Sequence, residues 1–144
     1  MEAPKKNQIL SSFNSDQKSS HQSKHLLLEL YRCDCEKLND ESFLRCILNR
    51  ASKLANATVL NLISNKFEPQ GVTAIALLAE SHISIHTWPE SNYSAVDIFT
   101  CGQHMMPELA SQYLIATLKA EEHFLRVIKR NPPLAVSKQI RTVV

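Results

Sequence analysis

The sequence LLAESHISIHTWPE, from Leu77 to Glu90, decides how this chain is interpreted. It places a hydroxyl nucleophile, two imidazole rings, an indole ring and two carboxylates directly after an apolar run. We predict a strand from His82 to Trp88, since polar and apolar residues alternate there. An ordinary strand does not need so many reactive groups, so the stretch indicates a functional site carried on a sheet.

Further strands are predicted on both sides of this stretch. They cover His25–Cys33, about Thr58–Glu68, Val72–Glu80, Tyr93–Cys101 and Phe124–Lys129, and Pro69-Gln70-Gly71 forms a hairpin turn.

Two helices are predicted between these strands. Asn39-Asp40 offers an N-cap, and apolar residues then recur at helical spacing from Phe43 to Ala55, with Asn56 closing the helix. The second helix begins at Pro107, with a buried stripe of Leu109, Ala110, Tyr113, Leu114, Thr117 and Leu118.

The element order β-α-β-β-β-β-α-β predicts an α+β fold. We expect a two-layer sandwich, with two helices on one face of a largely antiparallel sheet. By alternation the other face carries Glu29, Tyr31, His82, His86, Trp88, Asp97 and Cys101. We call this the free face. Aromatic side chains there predict that a second copy of the chain covers it, in a homodimer.

Domain boundaries follow from composition. Residues 1–24 are rich in serine and lysine without hydrophobic periodicity, and they are predicted to be a disordered tail. Residues 25–133 form the predicted domain, and residues 134–144 a C-terminal tail.

Composition excludes several classes of function. The chain has 16 Lys and Arg against 14 Asp and Glu, which argues against nucleic acid or a membrane surface as a partner. No apolar run approaches the ~20 residues of a membrane span. Two glycines exclude a glycine-rich phosphate loop, and four irregularly spaced cysteines suggest reduced thiols in the cytoplasm.

The motifs Glu80-Ser81-His82-x-x-x-His86-Thr87-Trp88-Pro89-Glu90 and Phe99-Thr100-Cys101-Gly102 resemble a known family. The chain is similar to bacterial-type S-adenosylmethionine decarboxylase proenzymes over about residues 25–130. It departs from them at Arg32, where the family usually has glycine, and at Ala79. The resemblance implies that the chain cuts itself between residues 80 and 81, and that Ser81 becomes a pyruvoyl cofactor.

Self-cleavage needs the Ser81 hydroxyl to attack the preceding carbonyl and a base to take the α-proton. The resemblance implies that His86 is this base, although strand alternation alone favours His82. If His86 acts on Ser81, the chain is expected to bend near the Glu80–Ser81 bond. The alternative for these two residues is a surface serine beside an ordinary sheet histidine.

The resemblance implies roles for five further residues. Cys101 is assigned as the catalytic proton donor, and Thr73 as the hydroxyl that assists processing with Glu80, Ser81 and His86. Phe67 is expected to stack on the substrate's adenine and Glu90 to hold its ribose, and Trp88 is also placed in the substrate site. Core packing is the alternative for Phe67.

A metal site is not expected. His82 and His86 lie four residues apart, which on a strand is ~13 Å, too far to share one ion. Cys33 and Cys35 form a C-x-C pair with no second pair.

With these features, the resemblance implies a self-processing, pyruvoyl-dependent decarboxylase of S-adenosylmethionine, which makes the aminopropyl donor for spermidine synthesis. Two alternatives remain open. The enzyme could act on ornithine or arginine, or the chain could be an unprocessed regulatory paralogue.

Overall fold

The structure is a computed structural model that describes residues 22–130. In chain order its elements are β1 (Ser23–Tyr31), α1 (Cys35–Leu38), α2 (Glu41–Leu54), β2 (Val59–Lys66), β3 (Val72–Leu78), β4 (Ser81–Trp88), a 3₁₀ turn (Pro89–Ser91), β5 (Tyr93–Cys101), α3 (Pro107–Thr117) and β6 (Glu122–Arg130). The predicted C-terminal tail and nearly all of the predicted N-terminal tail lie outside the described residues. β1 begins at Ser23, two residues before the predicted start of the domain.

The six strands form one antiparallel sheet in the order β2-β3-β4-β5-β1-β6. Helix α2 packs on β2, β3 and β4, and α3 packs on β1 and β5. The predicted α+β sandwich is therefore confirmed. The short helix α1 was not predicted; Asp34 caps it by accepting hydrogen bonds from the backbone of Glu36 and Lys37.

Helix α2 follows the predicted pattern. Its N-cap is Asp40, whose carboxylate accepts a hydrogen bond of 2.9 Å from the Phe43 backbone. A stripe of Leu44, Ile47, Leu48 and Ala51 is buried. The helix ends at Leu54, and Asn56 adopts a positive φ of 61° just beyond it. In α3 the predicted stripe is partly wrong, because Leu109 points to solvent.

Alternation along the central strands separates two faces of the sheet. One face contributes the core residues Leu26, Leu28, Leu30, Ala74, Ala76, Ile83, Ile85, Val96 and Ile98, which pack under the helices. Burial of each large side chain contributes about 1.5–3 kcal/mol. The free face keeps partly exposed side chains, including those predicted for it. Strand β6 differs, because all nine of its residues are exposed.

None of the helices within residues 22–130 has the length and apolar character needed to cross a membrane.

Candidate active site

Ser81 is the first residue of β4 and follows a two-residue turn, Ala79-Glu80, that joins β3 to β4. Its φ is 154°, a value that residues other than glycine rarely adopt. Such a conformation costs on the order of 1–3 kcal/mol and persists only where the surrounding structure enforces it. This unusual backbone conformation lies directly after the Glu80–Ser81 bond.

The imidazole beside Ser81 belongs to His82. The Ser81 hydroxyl oxygen lies 3.3 Å from Nδ1 of His82. On β5, Phe99 pairs with His82, and the two rings meet edge to face with centroids 5.9 Å apart. This contact fixes the ring of His82 against the free face, close to the scissile bond.

His86 lies elsewhere on the sheet. It pairs with Thr73 on β3, and the Thr73 hydroxyl oxygen is 2.9 Å from Nδ1 of His86. Five residues of extended chain separate it from Ser81, which corresponds to ~16 Å. The expectation that a bend would bring Ser81 to His86 within one chain is wrong, because β4 pairs continuously with its neighbours from Ser81 onwards.

Cys101 ends β5 at the same end of the sheet as Ser81. The antiparallel register places Ser81 opposite Thr100, and Cys101 opposite Ser23 of β1. The Cys101 thiol is free and partly exposed. The predicted serine and cysteine are thus neighbours in the fold although twenty positions separate them in sequence.

The three predicted substrate residues lie at the opposite end of the sheet, beside the links β2–β3 and β4–β5. Phe67 is 49% exposed, so core packing does not explain it. Trp88 is also exposed and packs on Tyr93, with ring centroids 5.2 Å apart. Glu90 is exposed in the 3₁₀ turn.

The site residues therefore form two groups at opposite ends of the sheet. We call Glu80, Ser81 and Cys101 the cleavage group. We call Phe67, Thr73, His86, Trp88 and Glu90 the substrate group. Within one chain the structure does not bring the two groups together.

Two polar pairs join β1 to β5 and were not predicted as pairs. His25 and Asp97 are joined by a contact of 2.9 Å between Nε2 and Oδ1. The Tyr93 hydroxyl donates to the Glu29 carboxylate; burial and that carboxylate raise the pKa of Tyr93 above its usual range. Alternation along the strands predicts that Asp97 and Glu29 lie on the free face. Their hydrogen-bond partners depend on the β1–β5 register, which the local sequence does not encode.

Two further side chains lie at opposite ends of the sheet: Arg130 at the end of the cleavage group, and Cys33 beside the link between β4 and β5. The Arg130 guanidinium lies 4.6 Å from the centre of the Phe99 ring, a cation–π contact missed by the sequence analysis. Burial raises the pKa of Cys33 to about 11, so this thiol is unreactive near neutral pH. Between Gln22 and Arg130, no three His, Cys, Asp or Glu side chains converge on a point where a metal could bind.

On this two-layer α+β sandwich, the strained Ser81 beside an imidazole and the strand-end thiol of Cys101 form a candidate enzyme active site. The family model described as S-adenosylmethionine decarboxylase matches residues 24–131. The chain therefore belongs to the S-adenosylmethionine decarboxylase family.

Similar proteins agree with this assignment. The S-adenosylmethionine decarboxylase proenzyme of Synechococcus sp. (strain WH7803) is 61% identical over 119 residues, which cover 83% of this chain and 93% of that protein. The proenzyme of Methanococcus aeolicus is 46% identical, over 76% of this chain and 94% of its own length. The crystal structure of the adenosylmethionine decarboxylase from Aquifex aeolicus VF5 superposes with a TM-score of 0.74 at 36% sequence identity. The match covers 84% of this chain and 100% of that chain.

The predicted activity, decarboxylation of S-adenosylmethionine, is thereby confirmed over both alternatives. The individual residue roles remain predictions.

Proposed function

We propose that the chain is synthesised as a proenzyme, cuts itself between Glu80 and Ser81, and uses the pyruvoyl group formed from Ser81 to decarboxylate S-adenosylmethionine. The observation that carries this proposal is the conformation of Ser81. Ser81 is the residue directly after the scissile bond, and its φ is 154°. Its hydroxyl oxygen lies 3.3 Å from Nδ1 of His82. Ground-state strain at a peptide bond favours attack on its carbonyl.

The processing steps use atoms of the chain itself. The Ser81 hydroxyl attacks the Glu80 carbonyl carbon, the peptide C–N bond breaks, and an ester replaces the amide. A base then removes the Ser81 α-proton, and the Cβ–O bond breaks with its electron pair leaving on the Glu80 carboxylate. The remaining dehydroalanine takes up water and releases ammonia, which leaves a pyruvoyl group at the start of the shorter piece.

The fit of the cofactor rests on this chemistry, because Ser81 supplies every carbon atom of the group. Once formed, the pyruvoyl carbonyl accepts the electrons left behind when carbon dioxide departs. The chain's own residues bind the substrate, orient it and move protons. Cys101, at the same end of the sheet as Ser81, is proposed to donate the proton that completes the reaction.

The active enzyme is proposed to be a homodimer with sites built from both chains. His86 and Ser81 lie ~16 Å apart along β4, too far for direct proton transfer. A two-fold axis through the middle of two stacked free faces would place the cleavage group of one protomer over the substrate group of the other. Thr73 and His86 from one chain would then serve Ser81 and Cys101 of its partner.

Exposed apolar side chains support this interface. Six large ones lie on the free face by alternation: Tyr31, Ile63, Leu77, Trp88, Phe124 and Ile128. Each is at least 38% exposed, and together they form a surface of the kind that mediates association. Because both copies present the same surface, a two-fold interface buries the apolar side chains of both copies against each other.

In such a site the substrate group would bind S-adenosylmethionine. Phe67 has the exposed ring needed to stack on adenine, Glu90 an exposed carboxylate for the ribose hydroxyls, and Trp88 a second aromatic surface. We place the enzyme in the cytoplasm, because the four cysteines are free and a reducing compartment preserves them.

Intact-protein mass spectrometry of the purified chain tests the proposal. Self-cleavage yields pieces of 80 and 64 residues (144 − 80), the second lacking a free amino group at its start. Ser81→Ala is the matched control and stays whole. The cleaved enzyme should release carbon dioxide from S-adenosylmethionine and not from ornithine or arginine. A wild-type chain that stays whole after long incubation contradicts the proposal.

A further inference from the structure

The loop between β5 and α3 lies close to the scissile bond and carries a histidine, His104, that the proposed chemistry does not use. Its imidazole lies directly against Gly102, where an added Cβ would come within 2.9 Å of Cε1 of His104. Gly102 has a φ of 110°, which only glycine adopts without strain. Glycine at this position therefore lets the His104 ring fold back along the loop that follows Cys101.

Backbone contacts hold this loop to the segment after α2. The Asn56 side-chain amide donates to the His104 carbonyl at 3.2 Å. The Met106 backbone N–H donates to the Ala55 carbonyl at 3.0 Å. The backbone at His104 and Met106 is thus held by the Asn56 side chain and the Ala55 carbonyl, independently of the His104 ring.

The ring of His104 reaches Glu80, the residue whose carbonyl is attacked. Its Nε2 lies 3.9 Å from Oε1 of Glu80, and the other carboxylate oxygen accepts a hydrogen bond of 3.0 Å from the Thr58 backbone. The Glu80 side chain is only 12% exposed, so its carboxylate is largely removed from water. Among residues 22–130, His104 is the one basic side chain that pairs with it.

We propose that His104 is a positioning residue for self-processing, which acts through the Glu80 carboxylate. This role rests on the proposed function and has two parts. Before cleavage, the His104–Glu80 pair fixes the scissile carbonyl and the Cys101 loop relative to each other. After cleavage, Glu80 becomes the free end of the longer piece, and the pair keeps that end docked once the covalent link is lost.

The electrostatics of processing favour the same arrangement. Elimination breaks the Cβ–O bond of the ester and leaves a new negative charge on the main-chain carboxylate of Glu80. As a basic side chain beside this residue, His104 favours the developing charge. Since the His104 ring itself is exposed, the pair should be worth little more than a surface ion pair.

Time courses of self-cleavage test this inference with six purified variants: His104→Ala, His104→Lys, His104→Gln, His123→Ala, Glu80→Gln, and Glu80→Gln combined with His104→Ala. His104→Ala should slow the appearance of the shorter piece about three- to fivefold. His104→Lys, which keeps a cation, should recover most of the rate, whereas His104→Gln, which keeps the shape without charge, should not. His123→Ala removes an exposed histidine of β6 and serves as the matched control, with the wild-type rate. Glu80→Gln combined with His104→Ala should be no slower than the slower single variant, because both remove one interaction.

The outcomes separate this inference from the proposed function. A wild-type chain that never cleaves overturns both. A wild-type chain that cleaves beside an equally fast His104→Ala overturns the role of His104 alone. Equal rates for the Lys and Gln variants, or additive slowing in the double variant, also overturn it, because either result assigns His104 to folding and not to the Glu80 carboxylate.

Discussion

Thr73 and His86 face each other across β3 and β4, with the threonine hydroxyl oxygen 2.9 Å from Nδ1 of the histidine ring. A hydroxyl at Nδ1 fixes the orientation of the imidazole and leaves Nε2 directed away from the β3 contact. In a dimer of stacked free faces, Nε2 is then the nitrogen available to the partner's scissile bond.

Replacement of Thr73 tests this contact. Thr73→Val removes the hydroxyl at nearly constant volume and should slow self-cleavage up to about tenfold, the value of one hydrogen bond. Thr73→Ser keeps the hydroxyl and should cleave at close to the wild-type rate. Mass spectrometry over time measures both. Equal slowing by valine and serine would assign the effect to packing of the threonine methyl.

The two histidines of β4 should differ in their effects. His86→Ala should slow processing about 100-fold or more and leave intact chain or ester, because it removes the proposed base. His82→Ala should have a smaller effect. His82 contacts the Ser81 hydroxyl, but it is not the residue proposed to remove the α-proton of Ser81. Hydroxylamine, which cleaves esters, reveals the stalled intermediate. A larger loss in His82→Ala would reassign the base to His82.

Composite sites can be tested by complementation between two inactive variants. Ser81→Ala and His86→Ala each give dimers in which both sites are defective. Suppose that each site takes Ser81 from one chain and His86 from the other. A mixed dimer then has one site that carries both substitutions and one site with an intact Ser81 and an intact His86. Co-expression should therefore restore cleavage of the His86→Ala chain. If each site were contained within one chain, no mixed dimer would cleave.

Cys101→Ala should separate processing from turnover. The variant should still cleave at Ser81, but decarboxylation should fall about 100-fold, the typical loss for a general acid. Without a correctly placed proton donor, protonation of the wrong carbon transfers the substrate's amine to the cofactor. Alanine should then accumulate at the start of the shorter piece, where mass spectrometry detects it. Near-normal turnover without this alanine would exclude the role.

The buried thiol of Cys33 should make the fold sensitive to alkaline pH. Burial raises its pKa from 9.0 to about 11, so the folded state keeps a proton that the unfolded chain gives up. The associated stability is complete below pH 9 and is lost as the pH rises through about 11. Melting temperatures from pH 8 to pH 11 should fall less steeply in Cys33→Ala than in wild type. Parallel curves would show that other groups cause the decline.

Much of the fold could be predicted because its determinants are local. Asp40 and the apolar spacing after it predict α2, and period-two alternation separates the core residue Ile83 from the free-face residue His82. Helix α1 was missed because its four residues carry no periodic pattern, only the cap at Asp34.

The arrangement of the site was less predictable, because it depends on strand order and register. The β4–β5 pairing brings Ser81 and Cys101 to the same end of the sheet. Ser81 and His86 are close in sequence, but the extended strand β4 keeps them apart. The His104–Glu80 contact joins two separate turns, so no local pattern could indicate it.

Strand β6 leaves one border of the sheet open within residues 22–130, since it pairs with β1 on one side only. An open border of extended backbone is a template on which further copies can add, in the manner of fibril growth. Strand β6 carries three basic residues, Arg126, Lys129 and Arg130, and one acidic residue, Glu122. A second β6 strand brought alongside would therefore be repelled by the net positive charge of the first. Because salt screens such repulsion within about 10 Å at 0.1 M, the colloidal stability of this protein should depend on ionic strength.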